Sequence, residues 1–185
     1  CIFTKTMLDA QARQGRFRYT LISPVPFSPR VRLPLIPEKY SNYSRLDDYE
    51  NSGTYEVYRP RFFKLPDPFL RPLARMTYRA SVFRAIRRNR LTFDLVHSHG
   101  LDPDGDTAVR IGAHFRVPSV VHVHDSYLEE ACLRNRRRMD AIMRRASMVV
   151  PVSDFQGSIL KRFYRDCAEK IVTVYNGVDT AKFRL

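Results

Sequence analysis

Four stretches in the second half of the chain decide its fold: FDLVHSHG (Phe93–Gly100), VPSVVHVHDS (Val117–Ser126), SMVVPVSD (Ser147–Asp154) and KIVTVYNGVD (Lys170–Asp179). Each is a short apolar, β-branched run that ends in polar or turn-forming residues. Such a run suits a strand buried on both faces. Helical patterns separate the four. Strands that alternate with helices over short connections predict a parallel sheet with right-handed crossovers. In an open sheet of this kind the binding crevice lies beyond the carboxyl ends of the strands. His97, His99, His124, Asp125, Ser153 and Asn176 are thereby expected along one rim.

Working outward, the periodicity predicts strands at Phe93–Ser98, Ser119–His124, Ser147–Val152 and Ile171–Tyr175. Helices are predicted at Asp104–Phe115, Tyr127–Arg145 and Asp154–Arg165. Asp104 and Ser153 or Asp154 are suitable N-caps, because a short oxygen-bearing side chain accepts from free helix amides. Upstream, Phe3–Gln14 reads as a helix stopped by Gly15, and FRYTLIS (Phe17–Ser23) as a strand. Pro24, Pro26 and Pro29 argue against regular structure in the loop that follows. Tyr55–Tyr58 reads as a short strand. From Pro72 to Asn89, Leu73, Met76, Ala80 and Phe83 recur at helical spacing among arginines, predicting a basic amphipathic helix.

The length of 185 residues fits one domain. No apolar run approaches the roughly 20 residues needed to cross a membrane. Cys1, Cys132 and Cys167 form no metal or redox spacing, and Cys132 and Cys167 read as ordinary helix residues in a reducing compartment. The net charge of +13 is concentrated at Arg59–Arg90 and Arg134–Arg145. Those stretches are either solvated helix faces or surfaces for anionic lipid or phosphate. No aromatic-interleaved basic motif of a nucleic-acid module is present.

His97 and His99 project to one face of a strand, as do His122 and His124. Two H-x-H pairs beside Asp125 leave a metal-dependent hydrolase open as one reading, since imidazole suits zinc and related ions. His124 at a strand end is the strongest candidate for contact with a sugar hydroxyl or phosphate. Asp125 either orients it or caps the next helix. Ser153 is a helix cap or a phosphate contact. The absence of GxGxxG, GxxxxGK[ST] and GxSxG removes the corresponding nucleotide and hydrolase sites. Asn176-Gly177 reads as a turn. A non-catalytic module that binds anionic membrane through its arginine helices is a further alternative.

In order and spacing, FDLVHSHG, VPSVVHVHDS, RASMVVPVSD and KIVTVYNGVDTAKF resemble the amino-terminal domain of glycosyltransferase family 4, of the GT-B fold. The segment IFTKTMLDAQARQGRFRYTLISPVPFSP is similar to that family's first helix, second strand and proline-rich loop. The resemblance implies a Rossmann-like three-layer α/β/α domain at 1–175 with a mostly parallel sheet. It implies a retaining transferase that moves a sugar from a nucleotide-sugar donor to an acceptor, with the acceptor held by this half. His124 matches the family's active-site histidine, and His99 and Gly100 a cleft-lining segment. Cys1 and Phe3 fall where the family has a Gly-x-Phe turn near the donor diphosphate, Cys1 standing in the glycine position. Asn176-Gly177-Val178-Asp179 matches the connection to a donor-binding domain expected after Leu185, so that 176–185 begins a linker. A first strand is expected before Cys1. Without it, the Phe17–Ser23 strand is expected to be detached from, or wrongly paired with, the Phe93 strand. The resemblance also implies no metal requirement, a location in the cytoplasm or at the inner face of the membrane, and no transfer by this piece alone.

Overall fold

The computed structural model describes residues 2–27, 42–64 and 70–178, the side chains of 2–4 and 42 excepted. The chain divides into two compact units, Cys1–Leu91 and Thr92–Leu185.

In the first unit, α1 (Ile2–Arg13) precedes β1 (Tyr19–Ile22) and β2 (Val25–Pro26). A short antiparallel pair follows, β3 (Tyr49–Asn51) and β4 (Tyr55–Tyr58), then β5 (Arg61–Phe62) and α2 (Arg71–Arg88). Leu8 and Ala12, one helical turn apart, set α1 against Tyr55, Val57, Tyr19 and Leu21. Strand β1 runs parallel to β4, from Tyr19 opposite Tyr55 to Ile22 opposite Tyr58.

Two expectations for this unit need correction. Pro26 lies in a strand, paired with Phe62. Its missing N–H costs nothing there: the ladder amides belong to its neighbours, Val25 donating to Pro60 O at 3.1 Å and Phe27 to Phe62 O at 2.7 Å. In α2 the buried stripe is Tyr78, Ser81, Val82, Ala85 and Ile86, whereas Met76 and Ala80 are exposed. Tyr78 packs edge-on against Phe62 with ring centroids 5.1 Å apart, and Thr77 Oγ1 donates to Phe63 O at 2.7 Å. These contacts fix the roll of the helix.

In the second unit β6 (Val96–His99), β7 (Ser119–Val123) and β8 (Met148–Pro151) form a parallel sheet in that order. Between them lie α3 (Asp106–Phe115), α4 (Leu128–Arg134) and α5 (Arg136–Arg145), with α6 (Asp154–Phe163) after β8. Val121, Val123 and Val149 share one face and meet Val109 of α3, Leu128 and Cys132 of α4, Met139, Ile142 and Met143 of α5, and Ile159 and Leu160 of α6. Consecutive right-handed crossovers place all these helices on that one face. Burial of each such aliphatic side chain contributes roughly 1.5–3 kcal/mol.

The single helix expected at Tyr127–Arg145 is two, divided at Asn135 (φ −117°, ψ 34°). Asn competes with helical hydrogen bonding and suits such a junction. The strand expected at Ile171–Tyr175 is reduced to a bridge between Ile171 and Val149. Val172 and Val174 still donate to Val149 O and Pro151 O, each at 3.0 Å. Their side chains are exposed, as is that of Tyr175, so this segment lacks the double-sided burial its composition suggested.

Candidate functional site

The site is built at the carboxyl ends of β6, β7 and β8. The register sets His99 opposite His122 and His97 opposite Val120. Alternation then puts His97, His99, His122 and His124 on the face opposite Val121 and Val123. His99 Nδ1 and His124 Nε2 are 3.2 Å apart, with their rings stacked at 5.4 Å. This pair joins two neighbouring strand ends.

A turn of π-helix, Leu101–Gly105, follows β6. Gly100 enters it at φ 113°, ψ 163°, a conformation open essentially to glycine alone. The amide of Gly100 donates to His122 O at 2.7 Å. The amide of Leu101 donates to Asp125 Oδ2 at 3.2 Å. Asp125 does not cap the helix that follows it, whose N-cap position is Tyr127 with no side-chain cap; it ties the turn after β6 to the end of β7. The expected N-cap Asp104 is also corrected: α3 is preceded by Gly105 and has no side-chain cap.

Ser153 does cap α6, its Oγ accepting from Gln156 N at 3.3 Å. Gln156 was missed in the sequence. Its Oε1 accepts from Val152 N at 3.2 Å and its Nε2 donates to Asp125 O at 3.1 Å. One side chain thus links the ends of β7 and β8. The signal was present: Ser153-x-x-Gln156 is a capping-box pattern.

The electrostatics favour neutral groups. Desolvation, then the neighbouring histidines, push His99 down to about 3. Desolvation first, then His124 and His97, push His122 down to about 4. Desolvation lowers His124 as well, opposed by Asp125. Burial raises Asp125, opposed first by the Leu101 amide. At neutral pH the imidazoles are uncharged donors and acceptors.

The geometry separates the expected site residues. His99, Gly100, His124 and Asp125 come together, with Ser153 reaching them through Gln156. Asn176 and Gly177 are exposed and lie in no helix or strand; Gly177 does not use a positive φ. Cys1 and the side chain of Phe3 lie outside what the structure describes.

A family model described as Glycosyltransferase Family 4 matches residues 7–182. The chain belongs to glycosyltransferase family 4. The strand ends joined by His99, His124 and Asp125 are therefore those of a family 4 chain. A search of curated proteins finds no match. Among solved structures, Anabaena Alr3699/HepE in complex with UDP-glucose is similar, with a TM-score of 0.46 and 17% identity, over 68% of this chain and 31% of that one. The same protein in complex with UDP and glucose gives 0.46 and 19%, over 68% and 32%. This family 4 chain thus spans about a third of the length of those structures.

Proposed function

We propose that this chain supplies the acceptor-binding side of a retaining glycosyltransferase that transfers a sugar from a nucleotide-sugar donor to a glycan, lipid-linked or small-molecule acceptor. Family membership supports the reaction class. The observation that carries the site is the His99–His124 contact at the ends of two parallel strands. In transfer, the bond from the sugar's anomeric carbon to the nucleotide phosphate breaks and a bond to the acceptor oxygen forms. The acceptor hydroxyl proton leaves with the nucleotide diphosphate. His124 holds a hydroxyl at the reacting end, His99 and Gly100 line the acceptor cleft, and Asp125 keeps the turn in place. Cys1, Phe3 and Ser153 are assigned to the donor side. Residues 1–175 form the acceptor half, and Asn176 and Gly177 start the hinge of a linker at 176–185. No metal is assigned to the transfer step.

The test is transfer by the full-length protein carrying His124→Ala. Losing one such hydrogen bond is expected to lower kcat by roughly 100-fold or more. Unchanged transfer would remove His124 from the site.

Among the described residues no helix is long and apolar enough to cross a membrane. Peripheral contact with anionic lipid is supported by Arg136, Arg137, Arg144 and Arg145, exposed on α5.

A further inference from the structure

The four histidines on the second unit's sheet face hold more than the proposed acceptor contact needs. Ring centroids lie 4.6 Å apart for His97 and His99, 5.3 Å for His99 and His122, and 5.5 Å for His97 and His122. One nitrogen from each of these three lies within 4.8 Å of the other two. His122 is only 6% exposed. Neither of its ring nitrogens has a hydrogen-bond partner among the described residues. Buried polar atoms are normally satisfied, and an exception calls for an explanation, a bound ion being one.

The donor set states which ligand. Three neutral imidazoles with no carboxylate suit zinc and its borderline neighbours rather than magnesium or calcium. Among the described residues thiolates do not compete here: Cys132 and Cys167 belong to the helix-covered core on the other face. The carboxylate of Asp125, beside His124, is held by the Leu101 amide. A tetrahedral zinc with Zn–N bonds of about 2.0–2.1 Å separates its nitrogens by about 3.4 Å. From the observed limit of 4.8 Å a nitrogen pair closes by up to about 1.4 Å to reach that, through ring rotations of His99 and His122 as well as of the exposed His97.

We propose that His97, His99 and His122 bind one divalent transition-metal ion of the zinc class. The ion satisfies the buried His122 and pins β6 to β7. His99 keeps one nitrogen for the ion while its Nδ1 stays engaged with His124 Nε2. An outer partner of this kind fixes the tautomer and orientation of a metal-bound histidine. The ion takes no part in the transfer proposed above, so the two readings stand or fall separately.

The test titrates the full, tag-free chain with Zn(II) against a chromophoric chelator, and with Co(II) alone. One equivalent per chain is expected. The Co(II) spectrum is expected to show ligand-field bands without thiolate charge transfer. His97→Gln, at an exposed position, is expected to weaken Zn(II) binding at least about tenfold with an unchanged circular dichroism spectrum. His122→Ala is expected to abolish it, and His114→Gln, on α3, to leave it intact. Substoichiometric binding, a thiolate band, or Zn(II) affinity unmoved by His97→Gln overturns the site. Unchanged transfer in His124→Ala with zinc still bound sinks the acceptor reading alone; lost transfer in that variant, with no zinc bound by the natural chain, sinks the metal site alone.

Discussion

At the scale of single residues, Gly100 and Tyr55 show how local chemistry is set by the fold. Gly100 sits at φ 113°, and a Cβ there also lies 3.4 Å from Asp104 Oδ2. Gly100→Ala is expected to destabilise by about 1–3 kcal/mol, read from the midpoint of denaturant unfolding; an unchanged midpoint would contradict the geometry. Tyr55 Oη donates to Asp9 Oδ1 at 2.7 Å. Burial first, then this carboxyl, push the phenol up to about 12. A raised folded pKa means that the contribution is fully present below pH 10, the unfolded value, and is lost as pH rises towards 12. The stability difference between the natural chain and Tyr55→Phe is therefore expected to be level below pH 10 and to shrink above it. In a phenolate absorbance titration, Tyr55→Phe removes a late-titrating group.

At the scale of elements, packing of helix on strand decides what propensity cannot. Gly112 lies within α3, where alanine has the higher helix propensity by about 1 kcal/mol. A Cβ at Gly112, however, meets Val117 O at 2.8 Å and Ser119 Cβ at 3.1 Å. The first of these is backbone and cannot swing aside. Gly112→Ala is therefore expected to lower stability in thermal unfolding; a gain would show that the α3–β7 connection yields. Helix α5 illustrates the same logic on its apolar side. Met139, Ile142 and Met143 are spaced for one face and are nearly inaccessible, so Ile142→Ala is expected to cost roughly 2–5 kcal/mol. The α2 stripe shows where periodicity misleads. Two sets of residues satisfy helical spacing, and the contacts of Thr77 and Tyr78 choose the set that contains Ser81. The division of the Tyr127–Arg145 helix at Asn135 carried a residue-level signal, but Asn also occurs within unbroken helices.

At the scale of the whole molecule, charge is the property that reaches furthest. The chain carries +13, and the apolar side of α5 is spent in the core. The attraction to an anionic surface proposed for Arg136, Arg137, Arg144 and Arg145 is therefore electrostatic, without insertion of that helix. Binding to vesicles containing anionic lipid is expected to fall steeply as salt rises from about 0.1 M to 1 M, because the screening length shrinks from about 10 Å to 3 Å. Arg136→Glu with Arg137→Glu is expected to weaken it further. Salt-independent binding, or equal binding to neutral vesicles, would count against a charge-driven surface.

By itself the sequence determined the α/β class, the parallel sense of β6, β7 and β8, and the family. These follow from apolar runs, helical spacing and short connections, which are local properties of the chain. It also placed His99, His124 and Asp125 at strand ends, because strand boundaries are written in composition. Only the tertiary structure decided what those side chains do. Register, a long-range property, put His122 level with His99 and stacked four imidazoles on one face. Asp125 bonds an amide 24 residues away, and Gln156 reaches Asp125 across 31. Side-chain partners at such separations depend on how the strands are laid side by side, and no local pattern encodes that.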